Sequence, residues 1–188
     1  EDPERLVLYS TASEGQGQPW KKGNKRHRTT GDEIYAAYSL LGEMGRGAFS
    51  FESDSRLLRE PARLASAKVM WLPRAETLDR GMADAILAWV RAGGTLVVTD
   101  PEAFTRTPRN RSLRDVRDAL VGAGLGGPRA GRTLIVDEDA LASGLPAEPL
   151  ELPVEAQQAR AFTSIPAGAR VVARFVDDAH AALLRPVD

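Results

Sequence analysis

Cysteine is missing altogether from the 188 residues, and only two histidines are present. The first absence removes disulfides, thiolate metal ligands and a cysteine nucleophile from this chain. The second leaves no imidazole cluster for a metal, because neither His27 nor His180 has a second His or Cys nearby to share one. A dominant charge is also lacking. Lys and Arg number 25 against 26 Asp and Glu, giving a formal net charge of -1 and a pI of about 6.2, so no global field draws the chain to nucleic acid or an anionic membrane. No apolar run approaches the roughly 18 residues of a spanning helix. Neither a G-x-S-x-G elbow nor a Walker pattern occurs.

What is present is a chain with 43% hydrophobic residues, enough for one substantial core, and the simplest reading is a single domain over residues 1–188. The chain opens on Glu1-Asp2 without an initiator methionine, so it reads as a processed form or a segment of a longer protein. RLVLYS (5–10) and KVMWLP (68–73) are apolar runs of strand length, AFSFES (48–53) alternates, and TLVVT (95–99) is the clearest strand. Between them, DEIYAAYSLLGEMG (32–45) carries Ile34, Tyr35, Tyr38 and Leu41 at helical spacing behind a Thr30/Glu33 capping pair. LLREPARL is helical in part, and LDRGMADAILAWVRAG sets Met82, Ile86, Trp89 and Val90 on one face before a Gly93-Gly94 stop. SLRDVRDALVGAG (112–124) has Ser112 and Asp115 as a capping pair and an apolar stripe of Leu113, Val116 and Leu120. This alternation predicts an α/β three-layer sandwich with a mostly parallel central sheet, flavodoxin-like in type. In the last third TLIV (133–136) reads as a strand, residues 142–158 have only a weak period, and RVVARFVDDAHAALLRPV reads as a C-terminal β-hairpin turning at Val176 to His180.

One block carries a resemblance. WLPRAETLDRGMADAILAWVRAGGTLVVTD (71–100) resembles the strand, helix, Gly-Gly, strand unit of the class I glutamine amidotransferase-like superfamily. RVVARFVDDAHAALLRPV is similar to the late hairpin of its carbohydrate-associated members, among them the trimerisation domain of family 42 β-galactosidases. The resemblance spans residues 5–187, with 68–100 the most specific part, and implies the amidotransferase-like fold. Catalytic members carry a Cys on a tight turn after the strand equivalent to TLVVT, paired with a His and an acid. Here Asp100 falls at or beside that position and Pro101 follows, so glutamine hydrolysis through a cysteine thioester is unavailable. The resemblance therefore implies a non-catalytic branch: a binding, scaffold or oligomerisation domain in a carbohydrate-related or cell-envelope setting, extracytoplasmic in preference to cytoplasmic.

Ligands of open parallel sheets bind outside the carboxyl ends of the strands. Three loops, residues 10–29, 73–77 and 100–107, are expected there, bringing together Ser10, Thr11, Glu14, Trp20, Arg74, Glu76, Asp100, Glu102 and Arg106. Asp100 and Glu102 are the candidate catalytic pair, able to do acid-base work if one is desolvated, which defines a hydrolase alternative. An Asp-Pro after a strand is equally an ordinary turn starter. In the first loop Lys21, Lys22, Lys25, Arg26 and Arg28 surround His27 with no acid among them. Such a run fits a phosphate, a sulfated sugar, an acidic partner face or plain solvation, and defines an anion- or polyanion-binding alternative. Trp20 is its one aromatic, which disfavours nucleic acid. Trp71 and Trp89 read as core, His180 as a turn residue, and GAGLGG (122–127) as a helix stop, so neither a metal nor a cofactor is expected. A protein partner, a second copy of the chain, or a small carbohydrate or anion are the partners that remain, with no membrane insertion.

Overall fold

Leu6, Val7 and Leu8 are consecutive, apolar and all buried in β1 (Arg5–Tyr9), the signature of a strand covered on both faces. In the computed structural model, which describes residues 4–15, 30–44, 48–100, 102–128, 133–136, 150–151, 160–175, 180–184 and 187, β1 lies between β2 (Ser50–Ser53) and β3 (Val69–Leu72). β4 (Thr95–Val98) follows β3, and every pairing in the order β2-β1-β3-β4 is parallel. This is the α/β arrangement that the strand and helix patterns predict. Backbone contacts divide the chain into two units, Glu1–Leu120 and Val121–Asp188, whereas composition suggests one core.

In the first unit β1 leads through α1 (Thr11–Gly15) and α2 (Thr30–Tyr38), which continues as a π-helical turn at Ser39–Met44, to β2. From β2 the chain passes through α3 (Asp54–Arg59) and α4 (Pro61–Ser66) to β3, and through α5 (Arg80–Arg91) to β4. The right-handed rule for parallel crossovers puts α2 on one face of the sheet and α3, α4 and α5 on the other. Met70 and Leu72 of β3 and Leu6 and Leu8 of β1 are buried on the α5 face, which also receives Met82, Ala83, Ile86 and Trp89 from the helix. The opposite row, Phe51, Val7, Trp71 and Val97, runs across the sheet in register, with Val7 fully buried but Trp71 and Val97 only half-buried. Trp71 is thus less enclosed than the core reading expects. Trp89 fits that reading: it is 8% exposed and its Nε1 donates to the Ala67 carbonyl at 3.1 Å.

α5 shows how sequence sets an element. Asp79 caps it, its carboxylate accepting the Gly81 amide at 2.8 Å. At the other end the Gly93 amide donates to the Val90 carbonyl (2.9 Å) and the Gly94 amide to the Trp89 carbonyl (3.1 Å), with Gly93 at φ 101°. This is a Schellman closure, so the Gly-Gly stop works as read. α6 (Arg114–Leu120) follows, with Leu113, Val116 and Leu120 buried and Ser112 Oγ accepting the Arg114 amide at 3.1 Å. In the helix at residues 32–45 the described burial falls on Ala37, while Tyr35 is 67% and Tyr38 44% exposed. The α-helix gives way to the wider π turn at Ser39, and the aromatic stripe faces outward.

The second unit holds a six-stranded sheet in the order β5-β8-β10-β9-β6-β7, from β5 (Leu125–Pro128), β6 (Thr133–Val136), β7 (Leu150–Glu151), β8 (Arg160–Phe162), β9 (Arg170–Phe175) and β10 (His180–Leu184). All its pairings are antiparallel. The expected hairpin is its centre, β9 pairing with β10. His180 is a correction: its backbone pairs with Arg174 and Phe162, so it opens a strand. GAGLGG divides, Gly122 at φ 60° following the helix and Leu125–Pro128 forming β5.

Candidate functional site

The four parallel strands end at one edge of the sheet, where the segments after them gather. The chain runs outward from β1 to β2 and then back past β1 to β3, so the reversal in strand order lies between β1 and β3. Hydrogen bonds cross that crevice. Ser10 Oγ donates to the Thr77 carbonyl at 2.7 Å, Ser13 Oγ donates to the same oxygen at 2.8 Å, and the Thr77 amide donates to Ser13 Oγ at 3.0 Å. Ser10 Oγ also accepts the Ser13 amide at 3.1 Å, capping α1. All three residues are buried, so both serine protons are committed to the backbone of the facing loop. Thr11 Oγ1 in turn donates at 2.8 Å to Asp54 Oδ1, which also accepts the Ser55 amide, tying the end of β1 to the end of β2.

The loops after β3 and β4 are joined as closely. Phe104 donates its amide to the Ala75 carbonyl, the amides of Thr105 and Arg106 reach the Glu76 carbonyl, and the Leu78 amide returns to the Arg106 carbonyl, at 2.9 to 3.1 Å. Glu76 and Arg106 pair through their side chains at 2.9 Å. Phe104 is completely buried at φ 59°, a conformation that costs a bulky residue about 1–3 kcal/mol and is held by these bonds. The strained residue of this turn is therefore Phe104, and Asp100 is not among the described residues with positive φ.

Asp100 follows β4, which is an edge strand of the four-stranded sheet, not a central one as a nucleophile position would require; the next strands form the antiparallel sheet. Its Oδ1 accepts the Glu102 amide at 2.9 Å, while Oδ2 is buried with no hydrogen-bond partner. Burial pushes the carboxyl above its usual range; the Glu102 amide, the Arg74 guanidinium and the nearby Ala75 amide pull it partly back, and the Glu102 carboxylate adds to the rise. Glu102 faces Arg117 at 4.0 Å, and Arg117 also donates to Thr105 Oγ1 at 3.2 Å. Arg74, Glu76, Asp100, Glu102 and Arg106 are thus brought to one side of this edge, and Ser10 and Thr11 to the other. Glu14 is in α1 by its backbone; Trp20, Lys21, Lys22, Lys25, Arg26, Arg28, His27 and Pro101 lie outside the described residues.

Ser13, Asp54 and Thr77 were not legible as site residues. The one local signal is Ser10-x-x-Ser13 at a strand end, a capping spacing; the partners on Thr77 and Asp54 lie 64 and 43 residues away.

Comparison with solved structures fits this architecture. The β-galactosidase of Rahnella sp. R3 superposes with a TM-score of 0.70 at 14% identity over 99% of this chain and 27% of its own. A GH42 β-galactosidase of G. stearothermophilus gives 0.57 at 16% identity over 96% of this chain and 25% of its own. A putative GMP synthase component from Thermoplasma acidophilum gives 0.51 at 10% identity over 98% and 79%. The likeness is one of fold. This chain spans about a quarter of the length of the two β-galactosidases. No family model matches the sequence, and no curated protein does.

Proposed function

We propose that this chain is a non-catalytic α/β domain of a larger carbohydrate-related enzyme, acting as a scaffold or oligomerisation domain. The observation that carries the reading is the crevice between β1 and β3, where folds of this type take their ligands and where Ser10 and Ser13 here bind the Thr77 backbone. Similarity to a quarter-length part of two β-galactosidases supports a domain within something longer. The chain contains no cysteine, which removes the nucleophile of the amidotransferase reaction.

A hydrolase reading keeps one specific observation: Asp100 is largely buried, which pushes its carboxyl above the usual range, and it lies beside Glu102, which faces Arg117. The two readings divide on turnover. The purified chain, given aryl β-galactosides, aryl β-mannosides and aryl esters, is expected to show no hydrolysis above buffer, and Asp100→Asn and Glu102→Gln to change nothing. Hydrolysis that disappears in either variant would establish the enzyme instead.

A further inference from the structure

Between β4 and α6 the chain makes a tight turn at Thr107 to Arg111, and its sequence supplies the two dihedrals such a turn needs. Pro108, second in the turn, fixes φ at about −65°. Asn110 takes the left-handed conformation at φ 56°, which asparagine tolerates better than most residues. The Asn110 amide donates to the Thr107 carbonyl at 2.8 Å, the Thr107 amide to the Arg111 carbonyl at 2.8 Å, and the Arg111 amide to Thr107 Oγ1 at 3.1 Å. Thr107 is buried, and Arg106 beneath it bridges to Ser112 on one side and to Thr77 on the other, which fastens the turn to the loop after β3. The turn carries Arg109 and Arg111, both exposed, one on each side of Asn110. Residues 103–114 contain Arg106, Arg109, Arg111 and Arg114 and no Asp or Glu. The arginines around the turn are engaged: Arg106 with Glu76 at 2.9 Å, Arg114 with Asp118 at 3.4 Å and Arg117 with Glu102 at 4.0 Å. Among the described residues no carboxylate pairs with Arg109 or Arg111.

We infer that this arginine turn is a docking point for a short acidic segment of a partner polypeptide, whose Asp or Glu carboxylates pair with the guanidiniums of Arg109 and Arg111. The inference goes beyond the scaffold reading and stands without it, because it concerns a different surface. Three observations carry it. The first is chemistry: a guanidinium presents a planar fork of donors that matches a carboxylate with two parallel hydrogen bonds. The second is rigidity. The backbone beneath both side chains is already ordered by its own hydrogen bonds, so docking costs side-chain freedom and little else. Solvation alone needs no such fixed backbone. The third is extent, which selects the partner. Two cations on one turn are few for a nucleic acid, whose affinity comes from many phosphate contacts along a basic stripe. The exposed residues of the turn, Pro108 to Ser112, include no aromatic ring for a base to stack on and no large aliphatic side chain to enter a bilayer. A few carboxylates on a short peptide match the surface in charge and in size.

Fluorescence anisotropy of dye-labelled octaglutamate, titrated with the full chain at low salt, tests this, with octaglutamine as the uncharged probe. Wild type is expected to bind octaglutamate with a Kd on the order of 100 µM, because exposed charge pairs are individually weak, to lose most of that binding at roughly 0.5 M salt, and to ignore octaglutamine. The double substitution Arg109→Gln/Arg111→Gln should weaken binding about tenfold. Pro108→Gly, which loosens the turn without changing its charge, should weaken it about threefold, and Arg114→Gln, a cation already paired outside the turn, less than about twofold. All these substitutions fall on exposed residues, so the fold is expected to hold, which unchanged far-UV circular dichroism checks. A wild-type chain that does not bind octaglutamate, or a double variant that binds it within about twofold of wild type, overturns the inference. So does an equal loss from Arg114→Gln, which would reduce the effect to net charge. If phosphatidylserine vesicles or a DNA duplex bind through the same two arginines more tightly than octaglutamate, the turn takes another class of partner and the inference falls.

Discussion

Gly94 and Trp89 show how single residues decide this fold. A Cβ on Gly94 would lie 2.3 Å from the Trp89 ring, which is pinned through Nε1 to the Ala67 carbonyl. Gly94→Ala should therefore destabilise by about 2–3 kcal/mol, read as a lower urea midpoint at constant m. Asp100 carries a pH signature. Its folded pKa is raised, so the folded chain holds the proton more tightly than the unfolded chain. The stabilisation is fully present below the ordinary value of 3.8 and is lost as pH rises through the raised value. Asp100→Asn keeps an oxygen for the Glu102 amide and removes the buried charge. It should raise Tm at pH 7 more than at about pH 4, close to the ordinary carboxylate value. An equal gain at both pH values would contradict the assignment.

At the scale of elements, legibility followed the physics of each. Strands β1, β3 and β4 and helix α5 were readable because continuous apolar runs, an amphipathic face and Gly-Gly act locally. β5 was not, since Leu-Gly-Gly-Pro has a helix-stop composition and becomes a strand only by pairing with Arg160–Phe162. β7 has two residues, too few for any pattern. For α2 the helical spacing says which residues share a face but not whether anything covers it, and Tyr35 and Tyr38 are exposed. The ties among Ser10, Ser13 and Thr77 were hidden for the same reason: a lone serine gives no sign of a partner 64 residues away. The β2–α4 junction offers a test at this scale. Glu52 is 2% exposed and accepts from Arg63 Nη2 at 2.7 Å and Nε at 3.1 Å, with Arg56 3.4 Å from its other oxygen. Arg63→Ala leaves a buried carboxylate with Arg56 alone and should cost about 2–3 kcal/mol in chemical denaturation, whereas an exposed pair such as Lys68 with Glu4 should cost under about 1 kcal/mol.

For the whole molecule, two sheets of different kinds share one chain, a parallel one in Glu1–Leu120 and an antiparallel one in Val121–Asp188. Among the described residues no helix is long and apolar enough to cross a membrane. The scaffold reading depends on the crevice at the strand reversal being bridged from within. Amide exchange at Thr77 reports on that most directly, because its N–H is held by Ser13 Oγ beneath buried neighbours. The Thr77 amide should exchange as slowly as those of Val7 and Met70 in the central strands, and Ser13→Ala should speed it at least tenfold without a comparable change at Met70. Exchange of the wild-type Thr77 amide at the rate of an open loop would mean that the crevice is not bridged from within, and would contradict the reading of this domain as a scaffold.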